Sequence, residues 1–371
     1  MQLFKLKTVI NQFESFGSFA KEFGLGERDL VITNDFLYEP FMKACGLPCH
    51  FVMQEHYGTG EPSEEMMNKI LHDLRGVQYD RVIAVGGGTV IDISKLFVLK
   101  DLEDVMDAFD KKIPLIKQKQ LVIIPTTCGT GSEVTNISIA EIKSRQTKMG
   151  LADDAIVADN AVIIPELLKG LPFHFYACSA IDALIHAVES FVSPKCNPYT
   201  AIFSEAAWNI IIPVFQTIRD KGPEYRFECM GDMIMASNFA GIAFGNAGVG
   251  AVHALSYPLG GTYHVPHGES NYQFFTEVFK VYESKAPGGQ MQVLKEKLSK
   301  VMGCTPANLF SEIDALLSAL IQKNDLHTYG MKESEIEGFA DAVLATQQRL
   351  LANNYTPLTR DEIRDIYKTL Y

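Results

Sequence analysis

Asp182 and His186 stand four residues apart in a segment, Ala180 to Ser190, whose apolar spacing predicts a helix, so both side chains leave one face. Alone, such a pair is a solvated helical pair or a core histidine with its hydrogen bonds satisfied. Two further imidazoles follow, His253 in an uncharged stretch and His267 in the loop Val265-Pro266-His267-Gly268. Three imidazoles and one carboxylate make a complete donor set of borderline hardness. It suits Fe(II) or Zn(II), not Ca(II) or an ion that seeks thiolates.

A second chemistry lies upstream. The β-rich run Arg81 to Val85 leads directly into Gly86-Gly87-Gly88-Thr89, after which Val90 to Leu99 reads as a helix with Asp92 and Lys95 in its early turns. Free N–H groups at a helix N-terminus, reached closely because glycine has no side chain, cradle a phosphate. The spacing is not GxGxxG, and by itself the run is equally a tight strand-to-helix turn. A second run, Leu121 to Ile124, ends in Pro125-Thr126-Thr127-Cys128-Gly129-Thr130-Gly131-Ser132-Glu133. Hydroxyls and glycines at the carboxyl ends of two neighbouring strands of an open sheet mark a nucleotide edge. Cys128 has no neighbouring histidine to activate it and reads as loop packing.

These segments together resemble the iron-containing, or group III, alcohol dehydrogenase family over essentially the whole chain. The resemblance runs through Gly86-Gly87-Gly88-Thr89-x-x-Asp92-x-x-Lys95 and Pro125-Thr126-Thr127-x-Gly129-Thr130-Gly131-Ser132-Glu133. It continues through Asp182-Ala183-Leu184-x-His186-Ala187-x-Glu189, Gly248-x-Gly250-x-x-His253-Ala254, Pro258-Leu259-Gly260 and Pro266-His267-Gly268. It implies an N-terminal dinucleotide-binding α/β domain, a C-terminal helical domain, and a metal on Asp182, His186, His253 and His267. It further implies the cofactor pyrophosphate on Gly87, Gly88 and Thr89. Asn34, Asp92, Thr126, Thr127, Thr130 and Lys148 complete that site, Lys148 being read from Gln146-Thr147-Lys148-Met149-Gly150. The cofactors so implied are NAD and Fe(II), with Zn(II) the alternative ion, and the assembly is a homodimer or larger.

Two departures from the family pattern carry information. Where many relatives have Thr-Asp at the end of an early strand, this chain has Thr33-Asn34-Asp35, and an acid there still implies NAD over NADP. Where many have a proton-relaying histidine four residues after the third ligand, this chain has Tyr257. A phenol titrating near about 10 is a poor base at neutral pH, so Tyr257, with His264, is expected to donate to a substrate carboxylate instead. The wording of residues 256 to 268 looks most like the branch that interconverts 4-hydroxybutyrate and succinate semialdehyde. Alternatives are a zinc polyol dehydrogenase, a related sugar-phosphate cyclase, or a non-catalytic metal or nucleotide sensor.

The elements that must hold these residues follow from pattern and composition. Length, 371 residues, and 47% hydrophobic content point to two domains with their own cores. A net charge of −12 argues against nucleic acid or an anionic membrane as partner, leaving a small-molecule hydroxy acid or semialdehyde. Seven cysteines without a CxxC pair fit a reducing cytoplasm. The opening residues read as a first strand rather than a signal peptide. From Met233 to Gly268 there is no Asp, Glu, Lys or Arg, yet Pro258 and Gly260-Gly261 are expected to break the stretch into a buried helix and a loop, not a membrane span. Strands are predicted at Leu30 to Thr33, His50 to Gln54, Arg81 to Val85 and Leu121 to Ile124, with a helix from Ser63 to Gly76. After Pro165 long amphipathic segments replace strands. The domains are therefore residues 1–165, α/β and NAD-binding, and 166–371, helical and metal- and substrate-binding.

Overall fold

A computed structural model of the chain describes residues 2–145 and 147–371, so Gln146 of the Lys148 segment lies outside the described residues. Two compact units result, residues 6–171 and residues 172–371 together with 2–5. The division falls at Leu171 rather than Pro165 because the 3-10 turn Pro165–Leu168 still buries Leu167 in the core of the first unit. Residues 2–5 join the second unit, where the Lys5 N–H donates to Asn246 Oδ1 at 2.7 Å.

The first unit is built on β1 (Val9–Gln12), β2 (Asp29–Thr33), β3 (His50–Met53), β4 (Arg81–Gly86) and β5 (Gln120–Pro125). A hairpin of β6 (Ile137–Ile142) and β7 (Thr147–Ala152) precedes β8 (Asn160–Ile163). Six strands form one parallel sheet in the order β1-β8-β5-β4-β2-β3. Successive residues of a strand face opposite sides, so Val82 and Ala84 enter one core cluster and Ile83 and Val85 the other. Burial on both faces accounts for the continuous Val and Ile runs that mark these strands in the sequence. Helix α1 (Glu64–Asp73) starts where Ser63 Oγ accepts from the Met66 N–H. Helix α2 (Gly88–Leu96) follows β4 directly.

In the second unit the principal helices are α3 (Phe173–Val192), α4 (Pro198–Lys221), α5 (Met230–Ala247), α6 (Ala251–Tyr263) and α7 (His267–Lys285). By length and composition α3 and α4 are each apolar enough to cross a membrane. Burial of 89% of the apolar window of α3 inside the unit gives its composition another cause, because a helix surrounded by protein is apolar all round. Between α5 and α6 the chain bends by 106°. Gly248 makes the bend with φ +79, and a Cβ there would lie 2.4 Å from Asn353 Nδ2. The break is thus at 248–250, and the expectation that Pro258 and Gly260-Gly261 end the helix is corrected: α6 runs through them to Tyr263. Proline removes one donor and crowds the preceding turn, but Leu255, Ser256, Leu259 and Gly260 are buried, and packing carries the helix past it.

Candidate metal centre and cofactor loops

Three helices bring four donors together. Asp182 and His186 come from the middle of α3, His253 from the first turn of α6, and His267 is the first residue of α7. One donor atom from each lies within 4.8 Å of all the others. His253 Nε2 is 3.0 Å from His186 Nε2 and 3.7 Å from Asp182 Oδ1, and His267 Nε2 is 4.0 Å from that same oxygen. Tetrahedral donors about 2.0–2.1 Å from a cation stand about 3.4 Å apart, so these separations bracket the required edge. Two imidazole nitrogens facing at 3.0 Å share either a proton, as an N–H···N hydrogen bond, or a cation. The residues therefore fit a four-donor metal site. Asp182, His186 and His253 are buried while the His267 side chain is 36% exposed, so the open side is that of His267.

The braces around this site escaped the sequence reading. Glu189, one turn after His186 on α3, places Oε2 2.5 Å from His253 Nδ1. Its Oε1 accepts the N–H groups of Gly250 at 3.1 Å and Val252 at 2.9 Å. One buried carboxylate thus satisfies the free N-terminus of α6 and aims a ligand of that helix. Burial pushes the Glu189 carboxyl up to about 8 against the pull of those N–H groups, and burial lowers His253 to about 3. With Nδ1 engaged by Glu189, Nε2 is the His253 nitrogen that faces the other donors. Burial likewise opposes ionisation of Asp182, yet His186, His267 and His253 outweigh it and hold its carboxyl below the usual range. Asn271, one turn after His267, donates to Asp182 Oδ1 at 2.8 Å and faces His267 Nε2 at 3.2 Å. Phe244 stacks on the His186 ring with centroids 4.2 Å apart. The signals available were Glu189 as an acid in an apolar helix and Asn271 four residues from a ligand.

In the first unit the two loops meet at the carboxyl ends of β4 and β5, where Gly86 pairs with Pro125. A Cβ on Gly86 would sit 2.6 Å from Val90, and Cβ atoms on Gly87 and Gly88 would sit 3.4 and 3.2 Å from the methyls of Thr127 and Thr130. The glycines therefore let the threonine loop lie against the start of α2. The Thr126 N–H donates to the Gly86 carbonyl, and Thr89 Oγ1 donates to the Gly60 carbonyl. Lys95, wholly buried, donates to Ser132 Oγ, Thr135 Oγ1 and the Ile137 carbonyl and clamps the second loop onto α2. Asp92 accepts from Ser132 Oγ and the Ile139 N–H, so it braces that loop from within. Lys148, on β7, pairs with Glu61 at 2.6 Å. Asn34, at the end of β2, donates to Glu55 Oε2 at 2.9 Å, and the Asp35 N–H donates to Glu55 Oε1 at 2.6 Å. Glu55 was not among the residues singled out from sequence.

Of the two substrate candidates, Tyr257 lies on α6 with its ring 6.2 Å from that of His267. His264 is exposed in a left-handed conformation at the end of α6, and among the described residues no ring contact joins it to Tyr257, His253 or His267. Cys128 is fully buried. Burial, with Glu269 and Asp182 nearby, pushes the Cys178 thiol up to about 12.

Comparison with known proteins agrees with this geometry. The family model for iron-containing alcohol dehydrogenase matches residues 7–165, and that for the C-terminal part of the Fe-containing alcohol dehydrogenase family matches 176–371. The chain is 51% identical over 371 residues, all of both proteins, to a 4-hydroxybutyrate dehydrogenase of Clostridium kluyveri. It is 34% identical over 327 residues to long-chain-alcohol dehydrogenase 1 of Geobacillus thermodenitrificans, covering 84% of this chain and 80% of the other. Among solved structures, a sulfoacetaldehyde reductase from Bifidobacterium kashiwanohense in complex with NAD+ shares the fold with a TM-score of 0.86 and 21% identity, covering 100% of this chain and 99% of that one.

Proposed function

Since the chain belongs to the iron-containing alcohol dehydrogenase family, we propose that it interconverts 4-hydroxybutyrate and succinate semialdehyde with NAD(H) as hydride carrier. The observation that carries this reading is the full-length 51% identity to an enzyme of that name, in a chain whose three helices gather Asp182, His186, His253 and His267. The chemistry an iron ion supplies when held by these four residues is Lewis acidity toward an alcohol or carbonyl oxygen.

The protein's own residues do the rest. Glu189 fixes the His253 ring, Asn271 fixes Asp182 and His267, and Phe244 backs His186. The N-terminal N–H groups of α2, bared by Gly87 and Gly88, receive the cofactor diphosphate, with Thr89, Thr126, Thr127, Thr130 and Lys148 around it. Asp35 and Glu55 beside Asn34 repel a 2′-phosphate, which favours NAD over NADP. Tyr257, beside His267, donates a hydrogen bond to the substrate carboxylate, whereas His264, exposed at the end of α6, has among the described residues no contact that supports a part in that task. No covalent nucleophile is required of the protein. The same reading has the enzyme act in the cytoplasm as a homodimer or larger homo-oligomer on a small soluble substrate.

The test is NADH oxidation by the iron-loaded protein with succinate semialdehyde and, in parallel, butyraldehyde, using the parent and Tyr257→Phe. The parent should favour succinate semialdehyde. The variant should keep its metal and lose about 1.5–3 kcal/mol in kcat/KM on the acid substrate alone, the worth of a hydrogen bond to a charged group. Better turnover of the uncharged aldehyde by the parent would overturn the substrate assignment. An equal collapse of kcat on both aldehydes would make Tyr257 the proton relay, and no turnover of any aldehyde would leave a sensor.

A further inference from the structure

A second group of metal-type donors lies outside the four-ligand centre. His174 and Cys178 occupy the first two turns of α3, four residues apart, and Glu269 is the third residue of α7. His174 Nε2 is 3.1 Å from Glu269 Oε2 and 3.6 Å from Cys178 Sγ, and all three donor atoms lie within 4.8 Å of one another. The thiol and the carboxylate approach the same ring nitrogen. A nucleophile relay would need them on different nitrogens, one to take the thiol proton and one to be oriented by the acid. Convergence of all three on one point is instead the arrangement of ligands around an ion. For a tetrahedral cation with bonds of about 2.0 Å to nitrogen and oxygen and about 2.3 Å to sulfur, the donor separations are about 3.3 and 3.5 Å.

The surroundings are those of a built site. Cys178 and Glu269 are buried, while the His174 side chain is 51% exposed, which gives one open side. Tyr329 donates to Glu269 Oε1 at 2.8 Å, leaving Oε2 for the cluster, and Gln273 and Asn324 in turn donate to the Tyr329 oxygen. A hydrogen-bonded outer shell that fixes the rotamer of a carboxylate is typical of metal ligands. The two donor groups are distinct in chemistry: the four-residue centre has no sulfur, whereas this one joins thiolate, imidazole and carboxylate.

We propose that His174, Cys178 and Glu269 form a second divalent-cation site of zinc class, with three protein ligands and one open position, clipping the start of α3 to the start of α7. On binding, the thiol proton of Cys178 leaves to solvent as the sulfur–metal bond forms, and no electron is transferred. The inference is independent of the dehydrogenase reading, and so is its test.

Iron-loaded protein titrated with Co(II) should bind a further equivalent and develop the near-ultraviolet charge-transfer absorbance of a Co(II)–thiolate bond, which Zn(II) should displace. The iron centre cannot produce that band, having no sulfur donor. In Cys178→Ser the band should vanish while the iron content is unchanged, and in His174→Ala, a change at an exposed side chain, the second equivalent should bind at least tenfold more weakly. Absence of the band at saturating Co(II), or its persistence in Cys178→Ser, would overturn the proposal and leave His174 and Glu269 as an ordinary ion pair.

Discussion

His267 is the one donor of the quartet that solvent reaches, and it stands where a helix begins rather than inside one. His267→Ala should therefore leave the unit folded and empty the centre, with iron content below about a tenth of an equivalent after desalting and turnover lost. Tight stoichiometric metal with near-normal turnover would show that the ligand assignment is wrong. Glu55 is expected to weigh on the choice between NADH and NADPH. Its carboxylate is held by Asn34 and the Asp35 N–H, so the negative charge at the end of β2 is fixed in place. Glu55→Gln should raise kcat/KM for NADPH relative to NADH by about two- to fivefold, the worth of one exposed like-charge contact. An unchanged ratio would remove Glu55 from the specificity site. Asn34→Asp, which the sequence alone makes the obvious way to sharpen NAD preference, would instead set two carboxylates against each other. Asp182 and His186 were legible as a pair because donor type and the four-residue spacing survive in one dimension, whereas His253 and His267 joined them through the family resemblance, and the structure brings all four together. Glu189 and Glu55 were not, since their partners lie on the start of another helix and the end of another strand, and a linear pattern carries no such contact.

Elements meet this closely only where glycine allows it. A Cβ on Gly268 would stand 2.3 Å from the Cys178 carbonyl oxygen and 3.2 Å from Asp182 Cβ, so the start of α7 rests on the backbone of α3. Gly268→Ala must push the helices apart. It should destabilise the protein by about 1–3 kcal/mol, as overpacking does, and weaken iron retention more than tenfold, read by thermal melting and metal content. Wild-type retention would show that α7 can yield without moving His267. Between α2 and the threonine loop the fastening is Lys95, which burial lowers to about 8 against the pull of Asp92 and Glu133. A lysine lowered in the folded state opposes folding while charged, so its contribution to stability rises with pH between that value and the ordinary lysine range near about 10.4. The parent should gain about 2 kcal/mol from this group between about pH 7.5 and about 9.5, and Lys95→Met should lack that gain in urea unfolding. Equal slopes would mean Lys95 titrates normally. The hairpin of β6 and β7 went unread because its alternation is short and follows a loop rich in Thr, Gly and Ser. The bend at Gly248 was misplaced at Pro258, because propensity spoke louder there than burial did.

At the scale of the molecule, one unit carries the four candidate metal donors and the other both candidate cofactor loops. Both architectures were visible as a change of texture, strands before Pro165 and long helices after it, while the placement of residues 2–5 depended on contacts such as that of Lys5 with Asn246. Binding energy stabilises the fold that supplies it, about 2.7 kcal/mol at a hundredfold excess over Kd. Chelation should accordingly speed hydrogen exchange in residues 182–189, 250–256 and 265–271, where the donors and their braces lie. Unchanged exchange there would mean that the braces alone hold the centre. Those braces have a further consequence. Glu189, Asn271 and Phe244 hold His253, Asp182 and His186 through the protein's own contacts, so the donor geometry is imposed by packing. A packed cage of nitrogen and oxygen donors offers ferrous iron no advantage in ligand type, and intrinsic affinity ranks zinc above ferrous iron. The ion such a cage carries then depends on which divalent ions are available to it as well as on its four donors.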